Sequence, residues 1–243
     1  MSTMFSTSYA DRKGERGNVL FLILIAVVLF AALSYAVTQS SRSGSGDAGK
    51  ETNLINSAQI TQYPASVKTA IIRMTINGVT DSELKFNAPS DFGALTNPAQ
   101  GVFHPSGGGA VYASAPADVM ASGSQGTWYF NPNFEVVNIG TNSTGAAAGN
   151  EFIAFLPGLK SAICQKINEE VGIGSTIPVA TNDVAVKYAD LYDDTKSDTI
   201  PADVANTVLG TAAGTTALVG QAYGCFRNTS SGDYVYYHVL VER

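Results

Sequence analysis

The stretch that decides the fold of this chain lies near its N-terminus and reads, from Asn18 to Val37, NVLFLILIAVVLFAALSYAV. None of its 20 residues is charged. A helix of about 20 residues spans about 30 Å, the thickness of the hydrocarbon core of a bilayer. A helix on the surface of a soluble domain keeps one polar face, whereas this segment is apolar on every face. The sequence therefore predicts a transmembrane helix over residues 18–38.

Basic residues are distributed unequally around this segment. Arg12, Lys13 and Arg16 lie immediately before it, and only Arg42 lies close after it. Lys and Arg accumulate on the cytoplasmic side of membrane helices. We therefore expect a single-pass protein with its N-terminus in the cytoplasm and its C-terminal domain outside.

Three alternatives remain for the fate of this segment during export. It can remain as an uncleaved anchor. It can be an ordinary secretory signal, since Ser34 and Ala36 place small residues at the two positions that signal peptidase reads. It can also be cleaved on the cytoplasmic side, before the apolar run, which leaves the helix on the mature protein.

The leader itself resembles a known signal. A short basic leader ends in Arg16-Gly17, and the apolar run begins at once with Asn18-Val19. This arrangement is similar to the class III signal of bacterial type IV pilins and pseudopilins. The resemblance implies cleavage after Gly17 by a prepilin peptidase, which gives a mature chain that begins at Asn18. The fifth mature residue is Leu22, where most major pilins carry Glu, so the resemblance implies a minor or atypical subunit.

The same resemblance implies a location, partners and an architecture. It implies an inner-membrane protein whose C-terminal domain is periplasmic or at the cell surface. Its partners would be other pilin-like subunits, contacted through residues 18–37 in a pilus or a secretion pseudopilus. Its fold would be α+β, with the membrane helix followed by an amphipathic helix packed on an antiparallel β-sheet.

Composition divides the chain into four parts. We expect a basic leader (1–17), a transmembrane helix (18–38), a glycine-rich flexible linker (39–52) and an exported α+β domain (53–243). From Gly44 onward there are 10 Lys or Arg and 18 Asp or Glu residues, a net charge of 10 − 18 = −8. Binding to nucleic acid requires a basic patch, so this charge argues against a nucleic-acid partner.

Periodicity within the exported domain predicts helices first and strands later. Apolar residues at three- and four-residue spacing predict an amphipathic helix from Leu54 to Met74, in which Pro64 either introduces a kink or begins a second helix. A second helix is predicted over 159–171. Aromatic and β-branched runs predict strands, at 127–130 and 134–139 as a hairpin, at 151–156, and at 222–227 and 233–241 as a C-terminal hairpin. An α+β domain follows from this order.

The chain has two cysteines, Cys164 and Cys225, both on the side expected to be exported. In an oxidising compartment such a pair is expected to form a disulfide. Two unpaired buried thiols are the alternative. A disulfide near the C-terminus is also common in the family that the leader resembles.

Candidate chemistry is sparse. Six aspartates lie between 183 and 203, and Asp190, Asp193 and Asp194 would be the ligands if calcium were bound. Their spacing does not match an EF-hand, so a solvated acidic loop is favoured. His238 lies among tyrosines and is expected to be a half-exposed sheet residue. We predict no catalytic residue, no cofactor and no enzymatic activity; the alternative to a pilin-like subunit is a membrane-tethered binding or adhesion domain that does not polymerise.

Overall fold

A computed structural model describes residues 16–141, 150–180, 207–211, 215–229 and 231–243. The chain divides into two compact units, Met1–Glu51 and Thr52–Arg243. The first helix, α1, is assigned from Arg16 to Ile76. Residues 39–52, whose composition predicts a flexible linker, lie within that assignment. Serine and glycine disfavour a helix by about 1 kcal/mol or less per residue, so strong helical segments on both sides can extend into them.

The C-terminal part of α1 packs on the sheet of the second unit. Its buried positions include Ile60, Val67, Ile71 and Met74, which follow the three- and four-residue spacing read from the sequence. They belong to the same core cluster as apolar residues of the sheet. Pro64 lies inside the helix. The predicted amphipathic helix is therefore confirmed, and it continues through the proline.

The sheet of the second unit is mixed and curled. Within the described ranges it has six strands, namely β1 (Tyr129–Val136), β2 (Glu151–Leu159), β3 (Val179–Ala180), β4 (Thr207–Leu209), β5 (Tyr223–Asn228) and β6 (Tyr234–Val241). Their order is β3-β5-β6-β2-β1-β4. The four central strands pair antiparallel. The short edge strands are parallel to their neighbours, β4 to β1 and β3 to β5.

The sheet corrects two expectations from the sequence. A wholly antiparallel sheet was expected, and the edge strands make it mixed because each returns beside a strand distant in sequence. The expected hairpin at 127–139 is wrong: β1 runs through Asn131, Pro132 and Asn133 as one strand. A register shift between Asn131 and Phe134 opposite β2 accommodates these residues as an irregularity of the ladder.

The C-terminal half of the domain follows the sequence more closely. The predicted hairpin is present as β5 and β6, and the predicted strand at 151–156 is β2, extended to Leu159. The second helix, α2, spans Ser161–Glu170. Both faces of the sheet are buried. One carries the cluster shared with α1 and α2, and the other carries a second cluster that includes Phe134, Phe155 and Tyr237.

Candidate functional site

The N-terminal unit carries one helical segment that is long and apolar enough to span a membrane. Within the described residues this segment is Val19–Gln39, 21 residues with a mean hydropathy of 2.8. All of these residues are exposed. Phe30 is 75% exposed and Leu22 58% exposed. Burying a side chain of this kind is worth about 1.5–3 kcal/mol, so the segment is unstable in water and requires lipid or other apolar helices. Single-pass anchoring is consistent with this surface.

The bond expected to be cleaved lies at the very start of α1. The helix begins at Arg16, so the backbone of Gly17 and Asn18 belongs to its first turn. Polar groups appear again at the other end of the segment, where the hydroxyl of Thr38 donates to the carbonyls of Ser34 and Tyr35 at 2.9 Å. The apolar segment thus begins at Val19, one residue after the expected cleavage bond between Gly17 and Asn18.

Cys164 of α2 and Cys225 of β5 form a disulfide, with Cα atoms 5.4 Å apart. Asn168, one turn after Cys164, holds the same strand a second time. Its amide donates to the Cys225 carbonyl at 2.9 Å, and its Oδ1 accepts from the Cys225 N–H at 2.8 Å. Asn168 is fully buried, and its two bonds satisfy the Cys225 backbone on the side of β5 where the described residues offer no strand partner at this position. One face of α2 is therefore fixed to the sheet covalently and by two hydrogen bonds.

The weak calcium candidates, Asp190, Asp193 and Asp194, lie outside the described residues. Within the ranges that the structure describes, no group of three or more His, Cys, Asp or Glu side chains is arranged to hold a metal ion.

Glu151 is a buried carboxyl group that the sequence analysis treated only as the start of a strand. Its side chain is fully buried. Oε2 accepts a hydrogen bond from the Val136 N–H at 2.9 Å, while Oε1 has no hydrogen-bond partner among the described residues. Burial raises the pKa of Glu151 to about 7, and the nearby Glu135 adds to the rise against the opposing effects of Val136 and Arg243. The sequence signal was a charged residue directly before the buried run FIAFL.

Arg243 ties three elements together beside Glu151. Its Nε donates to the Asn150 carbonyl and its Nη2 to the Pro132 carbonyl at 3.2 Å. Nη1 lies 3.6 Å from Oδ2 of Asp81, and the guanidinium lies 4.7 Å from the centre of the Phe152 ring. The residues after β6 are thereby fastened to the start of β2 and to the irregular part of β1.

His238 is buried, so the expectation of a half-exposed residue is wrong. It is 8% exposed because α1 covers this face, where Lys68 donates to the Val239 carbonyl at 3.4 Å. The imidazole stacks on the Tyr223 ring, with the two ring centres 5.2 Å apart. Its Nδ1 lies 2.8 Å from the Tyr236 hydroxyl. Burial, with a smaller effect of Lys68, lowers the pKa of His238 to about 4. The imidazole is therefore neutral at pH 7.

A groove of about 330 Å³ lies beside α1 in the second unit. It is lined by α1 between Gln59 and Ser66, by the segment Ala113–Pro116 and by Trp128. We call it the Trp128 groove. Its lining combines apolar side chains with a few polar ones, which is common for sites that bind small molecules. The sequence patterns described above predict no helix or strand within residues 86–126, and they give no sign that part of this stretch faces a helix.

Comparison with known proteins assigns no family. No protein-family model, no curated protein and no solved structure matches the chain.

Proposed function

We propose that this protein is a membrane-anchored, pilin-like structural subunit, cleaved after Gly17 and assembled through residues 18–37 into a type IV pilus or secretion pseudopilus. The observation that carries the proposal is the apolar surface of Val19–Gln39, which only Asn18 separates from a basic leader ending in Gly17. A helix that is apolar on all sides suits a bilayer before assembly. It equally suits a bundle of identical helices afterwards.

Two further features support the proposal. α1 extends beyond the apolar segment and packs one face on a sheet, the general arrangement that the resemblance implies. A disulfide also fixes the C-terminal part of the domain. From the basic residues before the apolar segment we infer a cytoplasmic N-terminus and a domain in the periplasm or at the cell surface.

Leu22 constrains the kind of subunit. An assembled subunit with leucine at this position lacks the carboxylate that would pair with the N-terminus of a neighbouring subunit. Its contacts in a filament core would be apolar packing alone. We therefore propose a minor or atypical role rather than that of the major subunit.

The decisive experiment is N-terminal sequencing of the membrane-bound protein, expressed as the full chain with and without a prepilin peptidase. Cleavage to a chain that begins at Asn18, only when the peptidase is present, is the expected result. Gly17→Val should block it because it removes the glycine that ends the leader, on which the resemblance to the class III signal depends. Gly14→Val, a matched change elsewhere in the leader, should not. Retention of Met1 with active peptidase would refute pilin-type processing, and a chain beginning at Val37 would indicate an ordinary secretory signal.

Assembly needs a separate test. The native cysteines are paired, so Leu24→Cys introduces a single new thiol in the apolar segment. We expect oxidation in membranes to give disulfide-linked pairs of subunits. Gln125→Cys, on the exposed surface of the domain, is the matched control and should remain monomeric.

A second candidate is a membrane-tethered binding domain that does not polymerise. The Trp128 groove favours it because the groove is a concave surface available within a single chain. Processing at Asn18 together with crosslinking through Leu24→Cys would exclude this candidate as a complete account of the function.

A further inference from the structure

The walls of the Trp128 groove are held in place by specific contacts. The Tyr63 hydroxyl accepts a hydrogen bond from the Ala113 N–H at 3.4 Å, and the Tyr63 and Trp128 ring centres are 5.1 Å apart. Ala115 and Gly126 exchange two backbone hydrogen bonds, at 2.9 and 3.0 Å. The segment opposite α1 is thus fixed at both Ala113 and Ala115, and the groove is formed before any ligand enters.

The α1 side of the groove offers polar groups that the protein itself leaves unused. Gln59 and Gln62 lie one turn apart on the exposed side of α1, and neither side-chain amide makes a hydrogen bond within the described residues. These groups are two amides, each with a donor and an acceptor.

The chemistry of the lining restricts the ligand. Among the described residues, the lining has no charged side chain. An anion would find no cation there, in a chain whose net charge is −6, and a cation would find no carboxylate. A pure hydrocarbon would cover the amides of Gln59 and Gln62 without pairing them, which costs about 1–3 kcal/mol for each buried polar group.

We propose that the Trp128 groove is a binding site for a neutral saccharide of one or two rings. Its hydroxyl or acetamido groups pair with the side-chain amides of Gln59 and Gln62. Its C–H face packs on the half-buried Tyr63 and on the small part of Trp128 that is exposed. The groove volume of about 330 Å³ falls at the small end of the range for small-molecule sites, which agrees with a ligand of this size. The site lies wholly within Thr52–Arg243 and does not depend on assembly of the apolar helix.

Trp128 is the only tryptophan of the chain and therefore reports on this site. The full chain, held in a detergent without a sugar headgroup, is titrated with cellobiose, maltose and N,N′-diacetylchitobiose while Trp128 fluorescence is recorded. We expect a saturable change with at least one of these disaccharides. Gln59→Ala combined with Gln62→Ala should weaken it about tenfold or more, because two ligand hydrogen bonds are lost.

The control is Gln165→Ala, a glutamine on α2 outside the groove, which should leave the binding curve unchanged. The proposal is overturned if no disaccharide gives a saturable change at concentrations up to about 50 mM, well above the millimolar dissociation constants of weak sites. It is also overturned if the double variant binds as tightly as the natural protein. A saturable response to uncharged tetra-alanine with none to the sugars would assign the groove to peptides and equally refute a saccharide site.

Discussion

Glu151 is a buried carboxyl group with one oxygen that has no hydrogen-bond partner among the described residues, and replacing it by glutamine isolates the effect of its ionisation. The amide keeps the acceptor for the Val136 N–H, which lies 2.9 Å from Oε2. It removes the negative charge, which burial and the nearby Glu135 both make unfavourable. The variant therefore changes ionisation while keeping size and one hydrogen bond.

The expected magnitude follows from the pKa. Burial raises the pKa of Glu151 from 4.5 to about 7, a difference of about 2.5, and each pH unit corresponds to about 1.36 kcal/mol. The folded state holds this proton more tightly than the unfolded state. The stabilisation is therefore complete below pH 4.5 and is lost as the pH rises through 7. Glu151→Gln should match the natural protein at pH 4.5 and exceed its stability by up to about 3 kcal/mol at pH 8.

The assay is urea unfolding of the full chain in detergent at half-unit pH intervals from 4.5 to 8.5, followed by Trp128 fluorescence. The quantity of interest is the difference in unfolding free energy between variant and natural protein at each pH, because other ionisable groups cancel. Glu169→Gln, an exposed change on α2, is the control and should shift stability by less than about 0.5 kcal/mol at every pH. Parallel curves for Glu151→Gln and the natural protein would show that Glu151 ionises normally and would refute the reasoning.

Three further predictions use the same unfolding assay. The pKa of His238 falls from 6.5 to about 4, so the stabilisation from the neutral imidazole is complete above pH 6.5 and is lost as the pH falls towards 4. His238→Gln should therefore gain stability relative to the natural protein as the pH falls from 6.5 towards 4, whereas Glu151→Gln gains it as the pH rises. A stability difference that does not change with pH would contradict this prediction. Asn168→Ala should lower stability by about 2–3 kcal/mol, because it leaves the Cys225 N–H and carbonyl buried without partners; a loss below about 0.5 kcal/mol would disprove this role. Replacing Cys164 and Cys225 together by alanine should cost about 4 kcal/mol, since the disulfide closes a loop of 61 residues in sequence separation, and addition of reductant should then have no further effect on the variant.

Glu151 and His238 are buried groups whose pKa shifts have opposite signs, so a single titration of the natural protein would not separate their effects. Between pH 4.5 and 6.5, rising pH removes stabilisation at Glu151 and restores it at His238. Each slope approaches about 1.36 kcal/mol per pH unit, with opposite signs. The natural protein should therefore show a nearly flat contribution from this pair, and only the single variants reveal the two slopes.

The sequence correctly predicted the C-terminal hairpin and the amphipathic part of α1, because neighbouring residues determine both elements. The C-terminal hairpin was readable because alternating aromatic and β-branched residues flank a turn sequence, and the amphipathic part of α1 was readable from its apolar spacing. The hairpin at 127–139 was wrong because Asn131-Pro132-Asn133 is a turn signal only where the chain is free to reverse. In the fold, β2 pairs on both sides of these residues and absorbs them as a register shift.

Long-range pairing explains the remaining differences. β3 and β4 are two and three residues long and pair in parallel with strands distant in sequence, so no local periodicity marks them. The burial of His238 and the pairing of Asn168 with Cys225 likewise depend on helices that cover the sheet. A polar residue inside an apolar pattern shows that something must satisfy it, but not which element does so.

The two parts of α1 show opposite patterns of exposure, and this contrast limits the functions that the chain can perform. In the second unit, Ile60, Val67 and Ile71 are each at most 1% exposed, so that part of the helix has its partner within the fold. In Val19–Gln39 the large apolar side chains Leu20, Phe21 and Leu29 are 62–69% exposed, and the stabilisation available from covering each one is about 1.5–3 kcal/mol. That surface must be covered by lipid, by other helices, or by each in turn. A function that leaves the apolar segment in water is therefore excluded, and assembly through it requires only that one apolar environment be exchanged for another.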